Sequence, residues 1–137
     1  MNIIIAGGGK VGITLARQLA AEKHDITLID SSRRVLDSGV ERLDIITVQG
    51  NCASLGVLLQ AGIKDAELLI AVTDADEVNL LCCMTAHGIN PRIHTIARIR
   101  NPEYTEQIFK MHHVFGLSMA INPERQAAEE MARLIKY

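Results

Sequence analysis

The stretch Ile3-Ile4-Ile5-Ala6-Gly7-Gly8-Gly9-Lys10-Val11-Gly12 decides how the whole chain is read. A short apolar run rich in β-branched residues ends in glycines, and apolar side chains then recur at helical spacing from Lys10 to Glu22. Strand, tight turn and helix follow in that order, with Gly7, Gly9 and Gly12 in the GxGxxG spacing of a turn that cradles a pyrophosphate. Gly7 permits the tight turn, Gly9 lets the backbone approach a phosphate, and Gly12 lets the helix pack closely against the strand. The helix start then presents free N–H groups and the positive end of its dipole to the anion.

Working outward, Asp30 closes the next β-branched run, Asp25 to Asp30, at about the ~20-residue offset at which an acidic residue meets the adenosine ribose. Its carboxylate would accept from the ribose hydroxyls and repel a 2′-phosphate, which favours NAD or NADH over NADP(H). An ordinary strand-ending aspartate is the alternative. The neighbouring Arg33 and Arg34 leave the choice open, since an arginine there could cover the adenine, pair with a phosphate or simply be solvated.

The same alternation continues along the chain. Six strands are expected: Asn2 to Ala6, Asp25 to Asp30, Asp44 to Val48, Leu68 to Val72, Ile93 to Ile99, and a weaker one near Val114 to Ala120. Helical segments lie between them: Lys10 to Glu22, Arg33 to Glu41, Ser54 to Ala61, Ala75 to His87 and Pro102 to Met111. This βαβα order predicts a Rossmann-type α/β domain, a doubly wound parallel six-stranded sheet with helices on both faces, spanning residues 1–137. A last helix should start near Asn122, an N-cap residue followed by Pro123 at the first helical position and Glu124 in the first turn, and run to Tyr137. Ala127, Met131, Leu134 and Ile135 give it an apolar stripe that must pack either on its own sheet or on another subunit.

Composition agrees with this reading and excludes others. At 48% hydrophobic and 22% charged the chain is globular, and with 3% aromatic residues its core must be aliphatic, as in a sheet buried on both faces. The net charge of −2 gives no general attraction to nucleic acid or anionic lipid. No basic n-region precedes an apolar h-region and nothing approaches ~20 apolar residues, so a soluble, cytoplasmic chain without direct membrane insertion is expected. Cys52, Cys82 and Cys83 lack the CxxC spacing of a zinc or redox site and read as reduced, packed thiols.

In a doubly wound sheet, ligands sit beyond the carboxyl ends of the strands, so the residues there are the remaining candidates. Gly50-Asn51-Cys52-Ala53 follows the third strand and could close over an adenine. After the fourth strand, Thr73 or Asp74 could cap the next helix. Arg98 and Arg100 end or follow the fifth, on one face if the strand continues, where either could meet a phosphate or a surface carboxylate. The five histidines are scattered, no metal-ligand spacing occurs, and no residues are left for a substrate domain, so an enzyme is not expected. The competing reading is the cofactor half of an NAD-dependent dehydrogenase.

Taken together, these stretches resemble the regulator of potassium conductance family, the RCK or KTN domains, and within it the TrkA-N type. The resemblance spans nearly the whole chain and is carried by IIIAGGGKVG (Ile3 to Gly12), ITLID (Ile26 to Asp30), VQGN (Val48 to Asn51), LQAGIKDAELLIAVTDADEVNLL (Leu59 to Leu81), IARIRNPEY (Ile96 to Tyr104) and INPERQAAEEMARLIKY (Ile121 to Tyr137). It implies a cytoplasmic domain that binds NAD(H), or ATP and ADP, and gates potassium flow through a Trk-type membrane channel or transporter subunit as a homodimer or larger homo-oligomer. Carried over residue by residue, Gly7, Gly9, Lys10 and Val11 would meet the phosphates, Asp30 the ribose, Asn51 and Cys52 the adenine side, and Thr73 and Arg98 the rest of the ligand. Many members have Asp at the position of Asn51, which loosens the adenine assignment. Members also normally continue beyond the position of Tyr137, so a domain from a longer protein is expected.

Overall fold

The first strand is apolar on both faces because it is covered on both. In a computed structural model that describes residues 1–40 and 43–135, β1 (Asn2–Ala6) pairs in parallel with β2 (Asp25–Asp30) on one side and β4 (Leu68–Ala71) on the other, so that Ile5 stands between Leu28 and Ile70. β3 (Ile46–Gln49), β5 (His94–Arg98) and β6 (Met119–Ile121) extend the sheet outward, giving the all-parallel order β3-β2-β1-β4-β5-β6. The chain thus winds one way from β1 to β3 and the other way from β4 to β6, the doubly wound topology predicted above.

Side-chain alternation along β1 assigns the two faces. Ile3 and Ile5 join Ile26, Leu28, Ile70 and Val72 against Ala16 of α1 (Lys10–Ala21) and Leu36 of α2 (Arg33–Gly39). Ile4 and Ala6 face the opposite way, against Leu58 of α3 (Leu55–Gln60), Cys82, Cys83 and Ala86 of α4 (Asp76–Ile89) and Ile108 of α5 (Thr105–Met111). All three cysteines are free and buried. Burial pushes the Cys83 thiol up to about 12, and Cys82 is raised as well, first by the hydrogen bond its thiol makes to Cys52 and then by burial. Both remain neutral thiols that pack like small apolar groups.

Several boundaries differ from expectation, each for a local reason. β3 begins at Ile46 rather than Asp44, since its pairing with β2 starts at Thr27 opposite Ile46. β5 loses one residue at each end and β4 loses Val72. The segment Val114 to Gly116 is not strand: its amides turn back to Met111 and His113, Gly116 takes φ +60°, and the short β6 starts only at Met119. The segment after β5 opens as a 3₁₀ turn, Pro102–Tyr104, capped by Asn101, before α5 begins. α2 ends at Gly39 with Val40 as its C-cap, and Glu41, the last residue of its expected span, lies outside the described residues.

The last helix, α6 (Pro123–Ile135), forms where the Asn122-Pro123 start predicts it, and Asn122 Oδ1 accepts from the Arg125 amide at 3.1 Å. Its expected continuation through Tyr137 lies outside the described residues. No described residue of the helix is buried, and Met131, Leu134 and Ile135 are 62, 70 and 83% exposed. The stripe therefore does not pack on its own sheet. No helix among the described residues is long and apolar enough to cross a membrane.

Candidate functional site

The carboxyl ends of β1, β2 and β4 diverge around a cleft of about 640 Å³, within the ~300–1,000 Å³ range of small-ligand pockets. It lies at the point where the winding reverses, because β1 sends the chain into α1 on one face while β4 sends it into α4 on the other.

The glycine turn forms one wall. Gly7 takes φ +113° and donates to the Ile29 carbonyl at 2.8 Å, and a Cβ there would meet the Thr73 amide nitrogen at 2.9 Å. Only glycine fits both constraints. Gly9 is the N-cap of α1, which receives no side-chain cap and has no acidic residue in its first turn. Its leading amides and dipole thus stay open to an external acceptor. A Cβ on Gly9 would meet nothing within 4 Å, so the open cleft begins directly at its backbone. Lys10 and Val11 also line the cleft. Gly12 does not: it faces the turn, where a Cβ would fall 1.8 Å from the Gly7 carbonyl oxygen.

Asp30 is half-buried and already employed. Its Oδ2 accepts from the Gly8 amide at 2.7 Å and its Oδ1 from the Ser32 amide at 2.8 Å, which fastens the glycine turn to the end of β2. Asp30 lines the cleft, and each of its carboxylate oxygens can accept a further hydrogen bond. Arg33 turns away to Gln49 Oε1 at 3.3 Å and to Asp37 at 3.7 Å, and neither it nor Arg34 lines the cleft. Across the opening, Asn51 is exposed, with Oδ1 accepting from the Ala53 amide at 3.0 Å, while Cys52 lies beneath it at 6% exposure.

Thr73 and Arg98 complete the far wall. Two residues that the sequence analysis did not single out fix the backbone at and just beyond them. Asn79, fully buried on α4, accepts from the Thr73 amide at 2.9 Å and hydroxyl at 2.6 Å, and donates to the carbonyls of Thr73 and Arg98 at 3.1 and 2.8 Å. Asp76 accepts from the backbone amides of Arg100 and Asn101. The signal for both was a polar residue on the apolar side of a helix, which at a strand end marks a backbone clamp. Neither Thr73 nor Asp74 is the N-cap of α4; that position is Ala75, whose amide Thr73 Oγ1 accepts at 3.3 Å.

The arginines separate. β5 stops at Arg98, so Arg98 and Arg100 do not continue along one strand face. Arg100 donates to the Asp74 carbonyl at 2.6 Å and lies outside the cleft. Arg98, 7% exposed, lines the cleft and pairs with Glu124 of α6, with Asp74 Oδ1 at 3.8 Å. Of the two alternatives left open for each arginine, the surface carboxylate contact is made by Arg98. Among the described residues no group of three His, Cys, Asp or Glu could hold a metal ion. What the cleft offers is a phosphate-sized opening at a helix start, acceptors for hydroxyls at one end and a buried guanidinium at the other.

Residues 3–123 match the TrkA-N domain family. The chain is 42% identical over its full length to 30% of the Trk system potassium uptake protein TrkA of Halomonas elongata. It spans about 30% of the length of most curated relatives it matches. Among solved structures, the TrkA-N domain of inner membrane protein ybaL from Escherichia coli superposes with a TM-score of 0.85 at 26% identity, covering 97% of this chain and 95% of that one. The Kef CTD of Shewanella denitrificans in its AMP-bound form gives 0.70 at 26% identity, over 87% of this chain and 71% of that one.

Proposed function

The chain belongs to the TrkA-N domain family, and from that premise we propose that it is a nucleotide-sensing regulatory domain of a potassium transport system. NAD(H), or ADP and ATP, occupies the cleft at the sheet edge, with Gly7, Gly9, Lys10 and Val11 against the phosphates. Asp30 takes the ribose, Asn51 and Cys52 the adenine side, and Thr73 and Arg98 the far end. The observation that supports this most directly is the empty approach at Gly9: an uncapped helix start opens on a cleft walled by Asp30 and Arg98. The AMP-bound relative and the potassium-uptake relatives support the ligand class and the system.

The domain acts as a sensor and not as an enzyme, held in the cytoplasm at the inner face of the membrane by a Trk-type channel or transporter subunit. A ligand that prefers one of two conformations ~100-fold supplies about 2.7 kcal/mol of bias, enough to shift a partner's equilibrium. Because the α6 stripe is uncovered, a second copy of the chain is the occupant proposed for it. Sedimentation should show a dimer at about 50 μM, well above the Kd of a typical stable interface; a monomer there would remove this part of the reading.

Calorimetry with NADH, NAD⁺, ADP and ATP tests the ligand. Micromolar binding is expected with no loss of NADH absorbance, and no binding by any of the four would overturn the proposal. Asp30→Ala should weaken NADH about tenfold, as for one charge-assisted hydrogen bond, and inorganic pyrophosphate much less. Equal losses would leave Asp30 as an anchor of the turn alone.

A further inference from the structure

Arg98 has more donors than the fold satisfies. Its Nη2 donates to Glu124 Oε1, its Nη1 lies beyond hydrogen-bond distance of the Asp74 carboxylate, and its buried Nε has no partner. A guanidinium carries five N–H donors, and leaving them unmet away from water is costly. The anions beside it are weak competitors: the side chains of Asp74 and Glu124 are 98 and 52% exposed, where ion pairs contribute little. Among the described residues, Glu124 also makes the one side-chain hydrogen bond that joins α6 to another element. The same residue therefore lines the cleft and tethers the helix.

We propose that Arg98 couples the cleft to α6: an anionic phosphate entering the cleft takes the Arg98 guanidinium from Glu124 and thereby releases the first turn of the helix. This rests on the nucleotide reading of the cleft. A phosphate presents two oxygens side by side to the planar fork, whereas Glu124 engages it through Nη2 alone, so the phosphate is the stronger competitor for the same guanidinium. The Glu124 carboxyl is held below its usual range by its own backbone amide and then by Arg98, so it stays ionised at neutral pH and the two anions exclude each other from one cation. Linkage makes the effect reciprocal: whatever frees α6 strengthens ligand binding, and ligand binding frees α6.

The test uses the full chain and Glu124→Gln, a near-isosteric change at a half-exposed position. Calorimetry with ADP should show the variant binding about three- to fivefold tighter than wild type, the scale of a partly exposed ion pair. Adenosine, which has no phosphate, should bind both equally. Amide hydrogen exchange over residues 125–130 should accelerate on adding ADP to wild type. In the variant it should be fast from the start and indifferent to ADP. If wild type binds ADP but Glu124→Gln binds it no more tightly, or α6 exchange ignores ADP, the coupling is wrong while the nucleotide reading stands. If wild type binds neither ADP nor adenosine, both fail, and the wild-type titration alone tells the two failures apart.

Discussion

Gly12→Ala should cost the fold about 3 kcal/mol or more and lower Tm by roughly 10 °C, although it adds a single methyl group to a helix. The new Cβ would sit 1.8 Å from the Gly7 carbonyl oxygen and 2.9 Å from its carbon, both backbone atoms. Neither can move aside cheaply. Gly7 is held by its hydrogen bond to Ile29 and by its φ of +113°, and its own Cβ position is blocked by the backbone of Val72 and Thr73. α1 would have to lift from β1, opening the cluster in which Ala16 and Leu36 pack on Ile3 and Ile5. Alanine's higher helix propensity recovers only about 1 kcal/mol of this. Thermal denaturation followed by far-UV dichroism measures the effect; a variant melting within about 2 °C of wild type would mean that the contact relaxes and that close packing is not what Gly12 provides.

Gly9→Leu should behave in the opposite way, folding almost normally and losing nucleotide. The backbone at Gly9 has φ −72°, which any L-residue adopts, and its Cβ would enter open space. The leucine would stand at the uncapped start of α1, where the phosphates are proposed to bind, and also screen the amides behind it. Affinity for ADP and NADH should fall at least 100-fold, about 2.7 kcal/mol, while Tm moves by no more than a few degrees. Undiminished affinity in a folded Gly9→Leu would place the phosphates elsewhere. Two glycines three residues apart in one motif thus divide into one that the fold needs and one that only a ligand needs.

The order of strands and helices was legible because it rests on local properties. β-Branched runs, helical periodicity and the Asn122-Pro123 helix start act over a few residues, and each appears within a few positions of its expected place. The sixth strand, the weakest expectation, forms but starts only at Met119, because an apolar residue such as Val114 suits a turn after α5 as well as a strand. Hydrogen bonds back to Met111 and the left-handed Gly116 decide between them. The glycine turn and Asp30 were legible for the same reason, since a φ of +113° and a missing Cβ have a sequence signature.

Other parts of the site have no such signature. Asp76 grips the amides of Arg100 and Asn101 24 and 25 residues away, Asn79 bridges the ends of β4 and β5, and Arg98 meets Glu124 across 26 residues. In the sequence these are an acidic residue near a helix start, an asparagine on an apolar stripe and one of two arginines. They become a clamp and a tether only because β5 lies beside β4 and β6 beside β5, which brings distant strand ends to one sheet edge. The uncovered stripe of α6 is of the same kind: periodicity determined that an apolar face exists, and tertiary structure decided that this chain's own core does not cover it. By itself the sequence determined what short-range conformation dictates, the parallel doubly wound order and a turn shaped for phosphate. Which charges meet, and which apolar faces stay open, was decided by packing, because those energies depend on neighbours that exist only once the sheet has formed.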